Sequence, residues 1–366
     1  MNQVDFTVRL LEWHKENERA LPWKEDKDPY KIWLSEIILQ QTRVDQGMPY
    51  YLRFIDTFPD VYTLASASED KVLKLWEGLG YYSRARNLHA TAQKVVENLS
   101  GQFPENYDDL LKLKGVGPYT AAAISSFAFD LPHAVVDGNV IRVLSRYAGI
   151  EAAVDTSSTK KELNELAHLY LSKKDPGAYN QAIMDFGAMM CVPKNPDCLS
   201  CPLNDSCLAF ANGKVDIIPF KSKRILKKEL SLNYHIIFDR SHVLIKKRVD
   251  NTIWKGLHDF ILSEGGNSDL DNQIKTIFQK GDDIRFKYMK GLGPYTHILT
   301  HRKILAYFHF YHSDNDLSEK KVNTPYNLVE RKKLSNFAFP TLIKKNIIDA
   351  GHLNGNNLFD KVPDKN

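Results

Sequence analysis

Leu113-Lys114-Gly115-Val116-Gly117-Pro118-Tyr119-Thr120 opens the stretch that decides the fold, and Val136-Asp137-Gly138-Asn139 closes it. A short helix leads into the Gly115–Gly117 turn. Pro118 suits a first helical position, and Ala121-Ala122-Ala123-Ile124 continues as a buried helix that holds the turn rigidly. Two glycines one residue apart let the backbone turn tightly and leave N–H groups directed outward at a helix N-terminus, which favours a phosphate. A lone Gly-x-Gly between helices is commonly a mere connector, so its meaning depends on the rest of the chain. Asp137 stands before the helical run Val140-Ile141-Arg142-Val143-Leu144 and reads as an N-cap. A carboxylate there is kept ionised by the helix dipole and backbone N–H groups, which an anionic stabiliser of positive charge also requires.

Toward the N-terminus, Phe6, Leu10 and Trp13 recur at helical spacing and predict an opening helix, ended by Leu21-Pro22-Trp23. After Asp28-Pro29-Tyr30 a second helix is predicted over 31–45, with Ile32, Glu36 and Leu39 on one face. Glutamate is a common surface residue, yet Glu36 is seated among apolar neighbours. Further helices are predicted over 49–58, 68–77, 83–98, 160–173 and 177–190, and no strand is read before the hairpin. The run Gly80-Tyr81-Tyr82-Ser83-Arg84-Ala85-Arg86 interleaves aromatics with arginines, a mixture suited to stacking on bases and gripping phosphates.

A chain of 366 residues exceeds one typical core and implies two or three domains. The net charge of +4 permits a nucleic-acid partner without requiring one. No apolar run is long enough for a membrane span and the first residues lack a signal pattern, so a soluble, cytoplasmic protein with no membrane partner is expected. The four cysteines follow Cys191-x6-Cys198-x2-Cys201-x5-Cys207, too local for a disulfide framework and suited to a metal. Zinc is the default; one Cys-x2-Cys flanked by single cysteines also fits a cubane cluster, and spacing leaves both open. Lys194, between the first two, is placed to face a phosphate.

The expected organisation is a helical domain over 1–212 that includes the cysteine loop 191–207, a lysine-rich linker over 213–229, a smaller α+β domain over 230–361 and a tail over 362–366. In the second domain, 232–238 and 243–247 read as a hairpin across Asp239-Arg240-Ser241. Ile304, Ala306, Phe308 and Phe310 mark a half-buried strand, and 270–278 a short amphipathic helix.

These motifs together resemble the MutY family of adenine DNA glycosylases, a branch of the helix-hairpin-helix glycosylase superfamily related to endonuclease III. The residues that carry the resemblance are Leu21-Pro22-Trp23, Trp33-Leu34-Ser35-Glu36-Ile37, Leu39-Gln40-Gln41-Thr42, Glu77-Gly78-Leu79-Gly80-Tyr81-Tyr82, the hairpin, Val136-Asp137-Gly138-Asn139-Val140 and the cysteine loop. The second domain is similar more weakly, through 254–260, Leu299-Thr300-His301 and Phe337-Ala338-Phe339-Pro340. The implied fold is an all-α helix-hairpin-helix glycosylase domain with an iron–sulfur cluster loop, followed by a Nudix-like α+β domain.

The implied activity is extrusion of adenine opposite 8-oxoguanine, or guanine, from duplex DNA and hydrolysis of its glycosidic bond, by a monomer carrying a [4Fe–4S] cluster on Cys191, Cys198, Cys201 and Cys207. Glu36 is the implied acid and Asp137 the implied anion, with Tyr119 and Asn139 lining the same site. Leu21, Trp23, Lys24, Val44, Gln181 and Met184 match an adenine pocket. Gln41, Thr42, Leu79 and Tyr81 match residues that wedge into the duplex and contact 8-oxoguanine. Gly115 and Gly117 would grip a phosphate, with room for a monovalent cation, and the linker could hold replication or repair proteins. Relatives resembling endonuclease III carry a lysine where this chain has Tyr119, and that lysine nicks the strand. Many relatives have Phe-Ser-His where this chain has Leu299-Thr300-His301; Thr300 keeps a hydroxyl and His301 the imidazole. The segment 270–278 lacks the acidic array that holds magnesium in Nudix hydrolases. A bifunctional glycosylase-lyase and an inactive DNA-binding relative are the competing readings; Tyr119 opposes the first, and the pair Glu36 and Asp137 the second.

Overall fold

The computed structural model describes residues 3–222, 226–250, 252–264, 270–278 and 284–353. They form two compact units, one of Met1–Ser66 with Asn87–Arg224, the other of Ala67–Arg86 with Ile225–Asn366. This differs from a division at the linker, because a helical segment preceding the hairpin is counted with the C-terminal sheet.

The first unit is helical: α1 (Gln3–Asn17), α2 (Pro29–Leu39), α3 (Val44–Thr57) and α4 (Val61–Ser66) precede the boundary. After α5 (Glu69–Trp76), which belongs to the second unit, come α6 (Ser83–Leu99), α7 (Tyr107–Leu111), α8 (Pro118–Phe129), α9 (Gly138–Tyr147), α10 (Ser157–Tyr170), α11 (Pro176–Met189) and α12 (Leu208–Ala211). Helix α11 packs against α1, α8 and α9. Their apolar faces supply one core, in which Phe6 lies 4.6 Å from the rings of both Tyr147 and Tyr170. Burying a side chain of this size contributes about 1.5–3 kcal/mol.

The helix expected over 31–45 is two helices. Helix α2 starts at Pro29, capped by Asp28, whose carboxylate accepts from the Tyr30 N–H. It stops at Leu39 because Gln40 leaves the helical region and Gln41 takes φ +56°. Helix α3 then begins at Val44 and carries Pro49 inside it, rather than beginning there. Gly47 lets it lie close on α2: a Cβ there would stand 2.7 Å from a Leu39 methyl. The linker is also shorter than expected. Val154 N–H donates to the Phe220 carbonyl at 2.9 Å and Ser222 bonds Asp155, so 213–222 is strapped to the helical unit. Residues 223–225 and 354–366, which include the expected tail, lie outside the described residues.

The second unit holds β1 (Lys228–Phe238), β2 (His242–Lys247), β3 (His258–Asp259), β4 (Ile261–Glu264), α13 (Leu270–Ile277), β5 (Phe286–Ile298), β6 (Arg302–Ser313) and β7 (Tyr326–Glu330). The sheet order is β3-β2-β1-β6-β5, with β4 on β1 and β7 on β2. The expected hairpin exists but pairs only Phe238 with Val243 before β1 turns to β4, while β1 and β6 run parallel over their length. Ile304, Ala306, Phe308 and Phe310 are all fully buried, as their alternation predicts. Helix α5 packs in this unit: Lys74 donates to the Phe337 carbonyl at 3.0 Å, and the Phe339 N–H donates to Glu77 at 2.8 Å.

Candidate active site

Six segments of the helical unit line a cavity of about 460 Å³. Helix α2 presents Glu36, α8 presents Tyr119, and the start of α9 presents Asp137 and Asn139. The short 3-10 turn Pro22–Lys24 brings Trp23 and Lys24, with Leu21 beside it; Val44 and Thr42 come from the α2–α3 junction, Gln181 and Met184 from α11. Every residue expected to be catalytic or to hold adenine therefore lines one cavity.

Glu36 is 5% exposed. Burial raises its carboxyl to about 7; a hydrogen bond from the Tyr119 hydroxyl works against that rise, and the charge of Asp137 adds to it. The Tyr119 hydroxyl is itself driven well above its ordinary range by burial and by both carboxylates, so it is a neutral donor. Asp137 caps α9 as expected, its Oδ1 accepting from the Val140 N–H at 2.7 Å and its Oδ2 from Asn139 Nδ2 at 2.9 Å. Those bonds hold its carboxyl down, but burial outweighs them and the net shift is upward. The dipole and cap are thus only part of its environment. Asn139 is held in turn by Arg142, whose Nη2 donates to Asn139 Oδ1 at 2.9 Å and whose Nε donates to the Cys191 carbonyl at 2.7 Å.

The other expected residues are placed as follows. Gln41 is exposed at the α2–α3 break. Gly115 takes φ +83°, where a Cβ would also press on Asn87; Gly117, with φ −97°, needs no glycine conformation and faces open space. Lys194 is exposed. In the second unit Leu79 is buried and Tyr81 half exposed, its hydroxyl 2.5 Å from that of Thr300. Thr300 and His301 are exposed at the β5–β6 turn, closed by the Leu299 N–H on the Arg302 carbonyl.

Cys191, Cys198, Cys201 and Cys207 line a second, smaller hollow with Arg146, whose Nη1 lies 3.4 Å from Cys191 Sγ. Burial, then mutual repulsion, lifts the Cys198 thiol; burial pushes that of Cys201 up to about 12. Four thiolates here need a positive group among them. Four thiols around one small hollow, with an arginine beside them, form a donor set that fits either a single metal ion or a metal cluster.

The sequence analysis gives Arg142, Arg146 and Asp185 no role in the site. The first two sit four apart at buried positions of α9, a spacing the sequence does carry.

Residues 34–168 match the model of the HhH-GPD superfamily of base excision DNA repair proteins, and 233–349 match the NUDIX domain. The adenine DNA glycosylase of Buchnera aphidicola subsp. Schizaphis graminum is 38% identical over 299 residues, covering 81% of this chain and 84% of that protein. The chain belongs to the adenine DNA glycosylase family. The Rattus norvegicus adenine DNA glycosylase is 42% identical over 226 residues, covering 58% of this chain and 44% of that one. A solved thermostable thymine-DNA glycosylase superposes with TM-score 0.54 at 29% identity, covering 57% of this chain and 97% of that one. As a member of the adenine DNA glycosylase family, the protein is a hydrolase of N-glycosyl bonds that removes adenine in base excision repair. Among the described residues no helix is long and apolar enough to cross a membrane.

Proposed function

We propose that this adenine glycosylase acts as a monomer on adenine paired with 8-oxoguanine or guanine in duplex DNA, and that it cleaves the glycosidic bond while leaving the strand intact. The observation that carries this reading is the placement of Glu36 and Asp137 around one cavity, with the Tyr119 hydroxyl hydrogen-bonded to Glu36. Adenine leaves poorly as an anion. A Glu36 that titrates near 7 is still substantially protonated at neutral pH, so it donates its proton to a ring nitrogen as the C1′–N9 electron pair moves onto the base. Ionised Asp137 stabilises the positive sugar, and Asn139 fixes its orientation. Water then adds to C1′ and gives its proton back to Glu36.

In this reading Leu21, Trp23, Lys24, Val44, Gln181 and Met184 surround the extruded adenine, an extraction costing a few kcal/mol that a mispair reduces. Gln41, Thr42, Leu79, Tyr81, Thr300 and His301 keep the duplex-wedging and lesion-contacting roles that the family resemblance implies. Gly115 and Gly117, with or without a monovalent cation, and Lys194 meet phosphates. The four cysteines would hold a [4Fe–4S] cluster, which supplies the positive charge that lets their thiolates stand together.

Strand scission by a glycosylase-lyase runs through a Schiff base to an amine, and a phenol at position 119 cannot form one. Borohydride added during turnover on 8-oxoguanine:A duplex should therefore yield almost no covalent enzyme–DNA adduct. Efficient trapping would place this enzyme among the lyases instead. The second unit should likewise have lost nucleotide hydrolysis: Asp271 is the single acid in α13. Purified protein with magnesium and 8-oxo-dGTP should release no pyrophosphate above a blank, and turnover would contradict a purely recognitive role.

A further inference from the structure

Asp185 stands on α11 directly after Met184 and lines the catalytic cavity, yet its carboxylate is 1% exposed. Two cations and an imidazole converge on it. Arg19 Nε donates to Oδ1 at 2.7 Å, Lys24 Nζ to Oδ2 at 2.7 Å, and His14 Nε2 lies 3.2 Å from Oδ2. These contacts outweigh the burial that opposes ionisation and hold its carboxyl well below the usual range. A knot of this kind could simply tie α1 to α11. Lys24 gives it a further consequence: its side chain is 11% exposed and it lines the same cavity as Glu36. An ammonium has three donors. Asp185 takes one, Glu18 at 4.0 Å is beyond hydrogen-bond reach, and the cavity is open to the rest.

Resting on the base-pocket reading above, we propose that Asp185 is a positioning residue that anchors the Lys24 ammonium so that it donates to a lone pair on the ring of the extruded base. A four-carbon amine loses rotamer freedom when fixed; a buried carboxylate makes that fixing a property of the free enzyme, before the base arrives. It also selects the base. A ring nitrogen with a lone pair is accepted at this position, whereas an N–H pointing at the ammonium is rejected.

The test separates the rate constant of single-turnover adenine release from its amplitude, which counts folded, competent enzyme. Asp185→Asn removes the charge; Asp185→Glu keeps it but displaces the anchor by one methylene. Both should lower the rate constant about tenfold or more while keeping the amplitude, the scale of one charged hydrogen bond. Lys24→Met should lose as much, and the Asp185→Asn/Lys24→Met double variant no more than the worse single. Lys24→Arg should restore most of the rate with Asp185 intact and little with Asp185→Asn. On duplexes carrying 1-deaza- or 3-deazaadenine, wild type should lose rate on one of them, and Asp185→Asn should lose nothing further there. Multiplying losses, or loss of amplitude with an unchanged rate in both Asp185 variants, would overturn the proposal in favour of a structural knot. A silent Lys24→Met would instead remove the base-pocket reading on which it rests.

Discussion

Asp137→Asn should reduce single-turnover release of adenine from an 8-oxoguanine:A duplex by at least about a thousandfold, the upper range for removing one electrostatic stabiliser. The change is nearly invisible to the fold. Asparagine ranks with aspartate as an N-cap, so its amide oxygen can still accept from the Val140 N–H and α9 stays capped. What disappears is the charge. The new amide nitrogen would also face Asn139 Nδ2, and Asn139 cannot reverse without losing Arg142 on its oxygen. Thermal unfolding and duplex affinity should stay near wild type while the rate collapses. A rate within tenfold of wild type would remove Asp137 from the mechanism.

Glu36→Gln should cost about 10²- to 10⁴-fold, the usual reach of a positioned general acid. The pH profile gives the sharper signature. Glu36 must carry its proton to act, and its carboxyl is lifted to about 7. Release measured under limiting enzyme should thus be level below that pH and fall tenfold per unit above it. The opposite limb belongs to Asp137, which must be ionised; its raised carboxyl makes the acid decline begin at higher pH than an ordinary aspartate would. In Glu36→Gln the alkaline limb should vanish and the acid limb remain. An alkaline limb that persists in the variant would assign it to another group.

The parts of the site legible in the sequence are those fixed by local rules. Gly115 before Pro118, Asp137 before an apolar helical run, clustered cysteines and the alternation of β6 each carry their own geometry. Glu36 was legible because its face was apolar, and burial is what raises its carboxyl. The break at Gln40–Gln41 was not: helix propensity there favours continuation, no glycine or proline marks the left-handed residue, and tertiary packing decides. Asp185 was equally silent, since its meaning comes from Arg19 and Lys24, more than 150 positions away. The reach of the second unit back to Ala67 has no local signature either, because hydrogen bonds to Phe337 and Phe339 create it.

That reach bears on how the gene tolerates damage. The Glu77 side chain is 6% exposed, with Oε1 taken by the Phe339 N–H and Oε2 by Lys74, and Leu73 lies against Gly256, which takes φ +84°. A premature stop codon in the linker would therefore not excise a module. It would strip α5 of its partners, bare a carboxylate's buried surroundings and loosen the loop that carries Leu79 and Tyr81, although every one of those codons survives. A frameshift hundreds of nucleotides downstream would thus read, in the protein, as a lesion in the first quarter of the chain.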